Sequence, residues 1–346
     1  MLTADLRHAV LSAARDSGHP IPPPGDPGPA SADPAPPGDP VLRPGGGPGR
    51  YISALPLRLA PRDPIPVAGA IAAGLRPLAW IASATPAPQG YLAITVTEDA
   101  LETLATRVTE AGPACARSDA LHGTTLTRPR TARDGPWAAA HTTVLLQVTA
   151  ALGTAAGASV PYFSHDRTFP APGTPLHDPD PVRAAVAFAG PDAIRYTLAR
   201  AAAEPFVPPD PEIAARHTEA NPAYAVAYAY SCAATTLRWA ADLGLSRGPA
   251  EQFRPGSLAH PRERALLDAL SWLPEQVARA ARRGRPHEFT TFCEELAETY
   301  QVCRVTCPAW PERRHVVRAR LWLTGAAAAS LAAGLELLGV SAPGRL

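Results

Sequence analysis

The stretch that decides the fold of the C-terminal half runs from Asn221 to Leu243 and reads NPAYAVAYAYSCAATTLRWAADL. Asn is a favoured helix N-cap and Pro is favoured at the first helical position, so a helix is predicted to begin at Asn221. Gly244 follows the stretch and predicts its end. We therefore expect a single long helix here.

The chain on both sides of this helix continues the same pattern. From Val182 onward the sequence is helical nearly throughout, and Pro or Gly clusters interrupt it. These breaks fall at Pro205 to Pro211, Gly244 to Pro261, Gly284 to Pro286 and Pro308 to Pro311. Residues 182–346 are therefore predicted to form an α-helical bundle of four or five helices.

The N-terminal part, residues 1–111, is predicted to be a small α+β domain, so that the whole chain is mainly α. Its segment from 20 to 50 holds 12 Pro and 7 Gly, which predicts a loop with neither helix nor paired strand. The predicted helices are Thr3 to Ser17, Ile65 to Leu75 and Glu98 to Ala111, and the predicted strands are Leu78 to Ala84 and Tyr91 to Val96.

Residues 112–181 are predicted to connect these two parts. Trp137 to Ala156 has the length and Ala/Leu content of one helix. Pro161 to Pro181 is rich in Pro and Asp and predicts an irregular segment.

Charge and composition restrict the partners. All 32 basic side chains are Arg and the formal net charge is only +1, so no global field attracts nucleic acid. Any RNA binding must come from a local basic patch. The N-terminus does not resemble a signal peptide, and we expect a cytoplasmic protein.

One apolar run has the length of a membrane span. Leu321 to Val340 reads LWLTGAAAASLAAGLELLGV, but it is rich in Ala and Gly and contains Glu336. Its leucines at 321, 331, 335 and 338 line one helical stripe. We predict the buried last helix of the bundle and no membrane partner.

The remaining chemistry-bearing residues form no recognisable site. The five Cys residues make no CxxC pair, although Cys303 and Cys307 are four residues apart. His141 and His165 stand without Ser/His/Asp spacing or paired carboxylates. We predict no catalytic residue, no metal ligand and no cofactor.

The opening stretch, together with GPDAIRYTL at Gly190 to Leu198, resembles the start of the anticodon-binding domain of arginyl-tRNA synthetases. In that family a D-A-L-R signature leads into N-P-V-Y-Y-V-Q-Y-A-H-A-R. The chain end, LLGVSAPGRL from Leu337 to Leu346, is similar to the family's L-L-G-V-S-A-P-E-R-M. The resemblance implies a DALR anticodon-binding fold for residues 182–346 and tRNA as the partner.

The N-terminal part is similar to the family's additional domain, which recognises the tRNA elbow. GRYISALPLRLA at Gly49 to Ala60 is similar to G-D-Y-A-T-N-x-A-L-x-L-A, and QGYLAITV at Gln89 to Val96 to P-G-F-L-N-I-x-L. We expect a degenerate form of that domain.

The catalytic domain that the family carries between these parts is not recognisable. Only about 75 residues separate Gly112 from the D-A-I-R motif, too few for a doubly wound nucleotide-binding sheet. We find no H-x-G-H, no K-M-S-K-like loop and no Lys. The sequence therefore predicts that the chain is not an enzyme.

Several positions that face RNA in the synthetases are changed here. Ala225, Ala227, Tyr230 and Cys232 stand where the family has Tyr, Gln, His and Arg, whereas the family's FH-x-FY positions become Tyr300, Gln301, Cys303 and Arg304. Tyr228 remains as a platform for stacking a base. The candidate RNA-binding residues are Tyr228, Tyr224, Arg238, Arg304, Arg279, Arg282, Arg283, Arg314 and Arg318.

The candidates have structural alternatives. Charge runs such as the Arg clusters at 279–285 and 313–320 are usually solvated helix faces. Asp192 and Arg195, three residues apart, are expected to form an intrahelical pair with a structural role.

Three functions follow from the sequence. The first is a synthetase-like protein that binds tRNA or a related RNA without charging it. The second is a regulatory protein-interaction module that has lost RNA binding, with the Pro-rich loop at 20–50 as a ligand for a protein partner. The third, residual arginine–tRNA ligase activity, conflicts with the missing catalytic motifs.

Overall fold

The computed structural model describes residues 2–19, 42–127, 135–161, 180–203 and 206–345. It is mainly helical, as predicted. The helices of the described part are α1 (Leu2–Asp16), α2 (Leu55–Leu59), α3 (Pro64–Leu75), α4 (Glu98–Ala111), α5 (Pro136–Ala155), α6 (Pro181–Ala189), α7 (Pro191–Arg200), α8 (Pro211–Ala214), α9 (Pro222–Asp242), α10 (Pro261–Ser271), α11 (Leu273–Arg283), α12 (Pro286–Thr306) and α13 (Arg314–Leu338). The strands are β1 (Leu42–Pro44), β2 (Arg50–Ser53), β3 (Ile81–Pro86) and β4 (Leu92–Val96).

The four strands form one antiparallel sheet in the order β1-β2-β4-β3. Buried and half-buried residues alternate along β4, so one face of the sheet meets the core. The predicted strand at Leu78 to Ala84 was displaced, because residues 78–80 form a turn in which the N–H of Ile81 donates to the carbonyl of Leu78.

The prediction that residues 20–50 contain no paired strand was wrong for residues 42–44, which form β1, and for Arg50, which begins β2. Residues 20–41 lie outside the described residues. The N–H of Gly45 donates to the carbonyl of Arg50 at 2.8 Å, which closes a tight turn between β1 and β2. Gly49 has φ +71°, and a Cβ there would lie 3.1 Å from Cγ2 of Val96. Glycines therefore allow this hairpin, although their number suggested a loop.

The bundle surrounds α13, which packs against α4, α9, α12, α10, α5 and α7. This helix is long and apolar enough to cross a membrane by length and composition, but 78% of its most apolar window is buried in the protein. The predicted leucine stripe is buried at Leu321, Leu331, Leu335 and Leu338. The prediction of a buried last helix is thus confirmed.

The prediction of four or five helices after Val182 was too low, since eight helical segments lie between Pro181 and Leu338 in the described part. Gly190 adopts φ +88° and separates α6 from α7. At Trp272 the chain turns between α10 and α11 without a Gly or Pro cluster, so periodicity alone did not indicate that break.

A continuous core joins the N-terminal part to the bundle. Most buried apolar residues, from Leu2 to Val340, belong to one cluster, to which α5 of the predicted connector contributes Val144, Val148 and Leu152. Polar contacts also cross between the two parts: Thr3 Oγ1 donates to the carbonyl of Ser271 at 2.6 Å. The predicted boundaries, at residue 111 between the N-terminal domain and the connector and at residue 181 between the connector and the bundle, stay predictions.

Candidate nucleic-acid interface

Three aromatic rings lie in a row at the start of α9. Tyr224 and Tyr228 are one helical turn apart, and their rings are nearly parallel at 10° with centroids 5.6 Å apart. His217, from the loop between α8 and α9, stacks on the other side of Tyr224 at 5.4 Å and 12°. His217 is exposed and both tyrosines are half-buried, so the row borders solvent. We call His217, Tyr224 and Tyr228 the tyrosine face.

Asn221 fixes the geometry of this face. Its Oδ1 accepts from the N–H of Ala223 at 3.1 Å, which caps α9 as predicted. Its Nδ2 donates to the carbonyls of Ala214 and Arg216, each at 2.8 Å. Asn221 therefore starts the helix and also holds the loop that carries His217.

A polar network between α9 and α12 lies beside Tyr228. Nε2 of Gln301 donates to Sγ of Cys232 at 3.7 Å, and Nε of Arg304 donates to Oε1 of Gln301 at 2.9 Å. The pKa of Tyr228 is raised, first by its hydrogen bond to Cys232, while the positive charge of Arg304 acts in the opposite direction. The structure thus brings together three of the candidate residues, Tyr224, Tyr228 and Arg304.

The first predicted Arg cluster gathers around one carboxylate. Glu288, in the first turn of α12, accepts from Arg283 at 3.2 Å and from Arg285 at 3.4 Å. Nε of Arg279 lies 3.5 Å from the same carboxylate. The αL conformation of Gly284 ends α11 and brings these side chains together. We call Arg279, Arg283 and Arg285 the Glu288 arginine cluster.

This cluster is remote from the tyrosine face. Both sites involve α12, but Glu288 lies in its first turn and Arg304 near its end. At ~1.5 Å per residue, the two positions are about 24 Å apart along the helix. Arg282, which was predicted with this cluster, is half-buried in the last turn of α11.

The second predicted Arg cluster does not act as one unit. Arg320 is mostly buried and pairs with Glu263 at 2.7 Å, so it has a structural role. Arg318 donates to Oε1 of Gln252 at 2.9 Å, whereas Arg314 is exposed. Arg238 is half-buried and donates to Oγ1 of Thr235 at 2.7 Å.

The D-A-I-R motif has a structural role, as expected, but by contacts that the sequence did not indicate. Nε of Arg195 donates to the carbonyl of Leu338 at 2.7 Å, and its Nη1 donates to Oε1 of Gln147 at 2.8 Å. The carboxylate of Asp192 accepts from the N–H of Ser341 at 3.1 Å. Both side chains therefore fasten the C-terminal end of α13 to α7.

The remaining candidates are structural. His141 is fully buried, its ring stacks on Phe206 at 4.5 Å, and burial lowers its pKa. His165 lies outside the described residues. All five cysteines are free, and no cluster of His, Cys, Asp or Glu in the described part is arranged to hold a metal ion.

Sequence reasoning missed two residues that organise these sites. His217 comes from a loop whose path no periodicity specifies. Glu288 is separated from Arg279 by the turn at Gly284, so its role depends on how α11 and α12 meet. The sequence did contain one sign of this role, because Glu288 is an acidic residue in the first turn of a helix that directly follows an Arg run.

Comparison with known proteins agrees with the resemblance in the C-terminal half. Residues 226–346 match the family model of the DALR anticodon binding domain. Arginine–tRNA ligase of Paenarthrobacter aurescens is 39% identical over 165 residues, which are 46% of this chain and 30% of that protein. The corresponding ligase of Kineococcus radiotolerans is 40% identical over 161 residues, 45% of this chain and 29% of that protein.

The chain therefore spans about 30% of the length of these relatives. Among solved structures, Thermus thermophilus arginyl-tRNA synthetase aligns with a TM-score of 0.39 and 22% identity over 59% of this chain and 32% of that chain. The similarity that was stated from the sequence is confirmed for this half of the chain. Residues 226–346 match the DALR anticodon binding domain, and the C-terminal half that contains them is similar in sequence to arginine–tRNA ligases.

Proposed function

We propose that this chain binds tRNA, or a related RNA, at the tyrosine face and does not aminoacylate it. The observation that carries this proposal is the solvent-bordering row of parallel rings on α9, with Arg304 in the adjoining network. Bases stack on aromatic side chains with about 1–3 kcal/mol each, and every base has a suitable face. A guanidinium beside such a platform supplies a contact for the connecting phosphate.

The changed positions support binding with an altered pattern of contacts. Cys232 stands where the resembled synthetases have Arg, so one cation is lost there. Arg304, which belongs to the same network as Cys232, supplies a cation at a neighbouring point of the α9–α12 seam. We infer that the positive charge of this surface is relocated, with Tyr228 kept as the stacking platform.

The absence of aminoacylation is proposed from the sequence between the two matched parts. Adenylate formation needs donors that neutralise the α-phosphate and the leaving pyrophosphate. The segment between Gly112 and Gly190 is too short for a nucleotide-binding domain, and the chain has no Lys for a K-M-S-K-like loop.

Filter binding with total tRNA tests RNA binding. We expect binding at micromolar protein that weakens steeply as salt rises, because phosphate contacts release counterions. An absence of salt-dependent binding at that concentration would rule the proposal out. ATP–pyrophosphate exchange with arginine tests the second part, and we expect no exchange.

An exposed apolar surface favours a protein-interaction module as the second candidate. Trp239 and Leu243, one turn apart at the end of α9, are 60% and 61% exposed. Exposed apolar groups of this kind mark protein contacts. Recovery of a protein partner in a pull-down, undiminished by ribonuclease and lost in Trp239→Ser, would favour this function over RNA binding.

A further inference from the structure

The Glu288 arginine cluster carries more positive charge than its carboxylate neutralises. The exposed guanidiniums of Arg279 and Arg285 offer five N–H donors each, whereas one carboxylate has about four acceptor positions. The N···O distances of 3.5, 3.2 and 3.4 Å are long for charge-assisted hydrogen bonds. These side chains are therefore gathered by Glu288 without being saturated by it.

The arrangement directs the positive groups outward. Arg279 and Arg285 are 56% and 55% exposed, whereas Glu288 beneath them is only 20% exposed. An approaching anion meets the guanidiniums before it meets the carboxylate. This is the geometry of a surface that attracts an anion and limits how tightly it is held.

The backbone adds to this field. The cluster lies at the N-terminus of α12, a 21-residue helix whose N-cap, Arg285, makes no side-chain capping hydrogen bond. The N-terminus of a long helix carries partial positive charge and favours anions. Glu288 is the acidic residue of that first turn, so its carboxylate occupies part of the position an external anion would take.

We propose that the Glu288 arginine cluster binds backbone phosphate of the same RNA that the tyrosine face binds, and that Glu288 is an internal anion that competes with it. The inference rests on the proposed function. The two sites are about 24 Å apart along α12 at ~1.5 Å per residue. At ~100° per residue, positions 288 and 304 also differ by about 160° around the helix, so an RNA that contacts both sites must be longer than this axial distance.

The cluster and the tyrosine face contribute differently to affinity. Stacking on Tyr228 is insensitive to salt, whereas each phosphate contact adds to the salt dependence of binding. Loss of charge at the cluster therefore changes the slope of log affinity against log salt concentration. Loss of Tyr228 lowers the affinity and leaves that slope unchanged. This difference separates the two sites in one assay.

The test is filter binding of total tRNA over a salt series with the full chain and four variants. We expect Arg279→Gln/Arg285→Gln to lower the slope of log affinity against log salt by about two and the affinity at low salt at least about tenfold. Arg254→Gln/Arg262→Gln removes two exposed arginines from elsewhere in the bundle and serves as the matched control, with a wild-type slope. Tyr228→Ala lowers affinity at a wild-type slope. Glu288→Gln raises affinity severalfold.

The outcomes separate the two proposals. A wild-type slope for Arg279→Gln/Arg285→Gln, in a protein that binds tRNA, overturns the phosphate site alone. Unchanged or weaker binding by Glu288→Gln overturns its competing role. If the wild-type chain binds no tRNA, the proposed function fails and this inference fails with it.

Discussion

Single residues explain how the tyrosine face is held in place, and Asn221 is the clearest case. One side chain caps α9 through Oδ1 and holds the α8–α9 loop through two donations from Nδ2. The sequence indicated the cap because Asn before Pro is a local pattern. It did not indicate the loop contacts or the stacking of His217, because those depend on the path of residues 215–220, which no local rule specifies.

Replacement of Asn221 separates its two functions. Asn221→Ala removes the cap and leaves two carbonyls without their donors, so we expect the free energy of unfolding to fall by about 2–4 kcal/mol. Asn221→Ser keeps a capping oxygen and loses only the loop contacts. Its free energy of unfolding should therefore lie between those of Asn221→Ala and the wild type. Urea unfolding measures both, and equal losses for the two variants would contradict the double role.

At the scale of elements, the sequence predicted helices well where a cap and an apolar stripe coincide. Helix α4 begins at Glu98 and ends at Ala111 as predicted, and its N-cap Thr97 accepts from the N–H of Ala100. Strands β1 and β2 were missed because each is short and the hairpin that joins them is rich in Gly and Pro, and because β2 is also defined by its pairing with the distant β4. The network of Cys232, Gln301 and Arg304 was likewise not predictable as a unit, since it requires the packing of α9 on α12.

The end of α13 depends on Arg195 of α7. Arg195→Met keeps the apolar stem but removes the hydrogen bonds to the Leu338 carbonyl and to Gln147, so we expect a loss of about 3 kcal/mol of stability. Arg200→Met, on the same helix, removes only a half-exposed ion pair with Glu294 and should cost under about 1 kcal/mol. Hydrogen exchange should show faster opening at Gly339 and Val340 in the first variant only, and similar losses in both would contradict the account.

At the scale of the whole molecule, the N-terminal part and the bundle are joined by buried polar groups. Glu102 of α4 accepts from the N–H groups of Gly256 and Leu258 at 2.8 and 3.2 Å, and Asp268 of α10 accepts from Gly49 at 3.1 Å. Burial raises the pKa of both carboxyls despite these bonds. The sequence predicted the two parts but not this junction, because no local pattern pairs residues 150 or more positions apart.

Because the pKa of Glu102 is raised, we expect the effect of Glu102→Gln on stability to depend on pH. A carboxyl whose folded pKa lies above its unfolded value of about 4.3 binds more protons when folded, so its contribution to stability falls as pH rises through that window. Glu102→Gln removes this penalty and should gain stability relative to wild type as pH rises from about 4 to 7. Urea unfolding across that range, with the exposed Glu98→Gln of the same helix as control, measures the difference. A stability difference that is independent of pH would contradict the assignment.

The central claim is that the tyrosine face binds RNA. The most direct measurement is a low-salt titration of total tRNA with the wild-type chain, Tyr228→Phe and Tyr224→Ala/Tyr228→Ala. We predict binding at micromolar protein or below for wild type and Tyr228→Phe, because Phe keeps the stacking ring, and a loss of about tenfold or more for the double variant. Equal affinity of all three proteins, or no binding by the wild-type chain, would contradict the account.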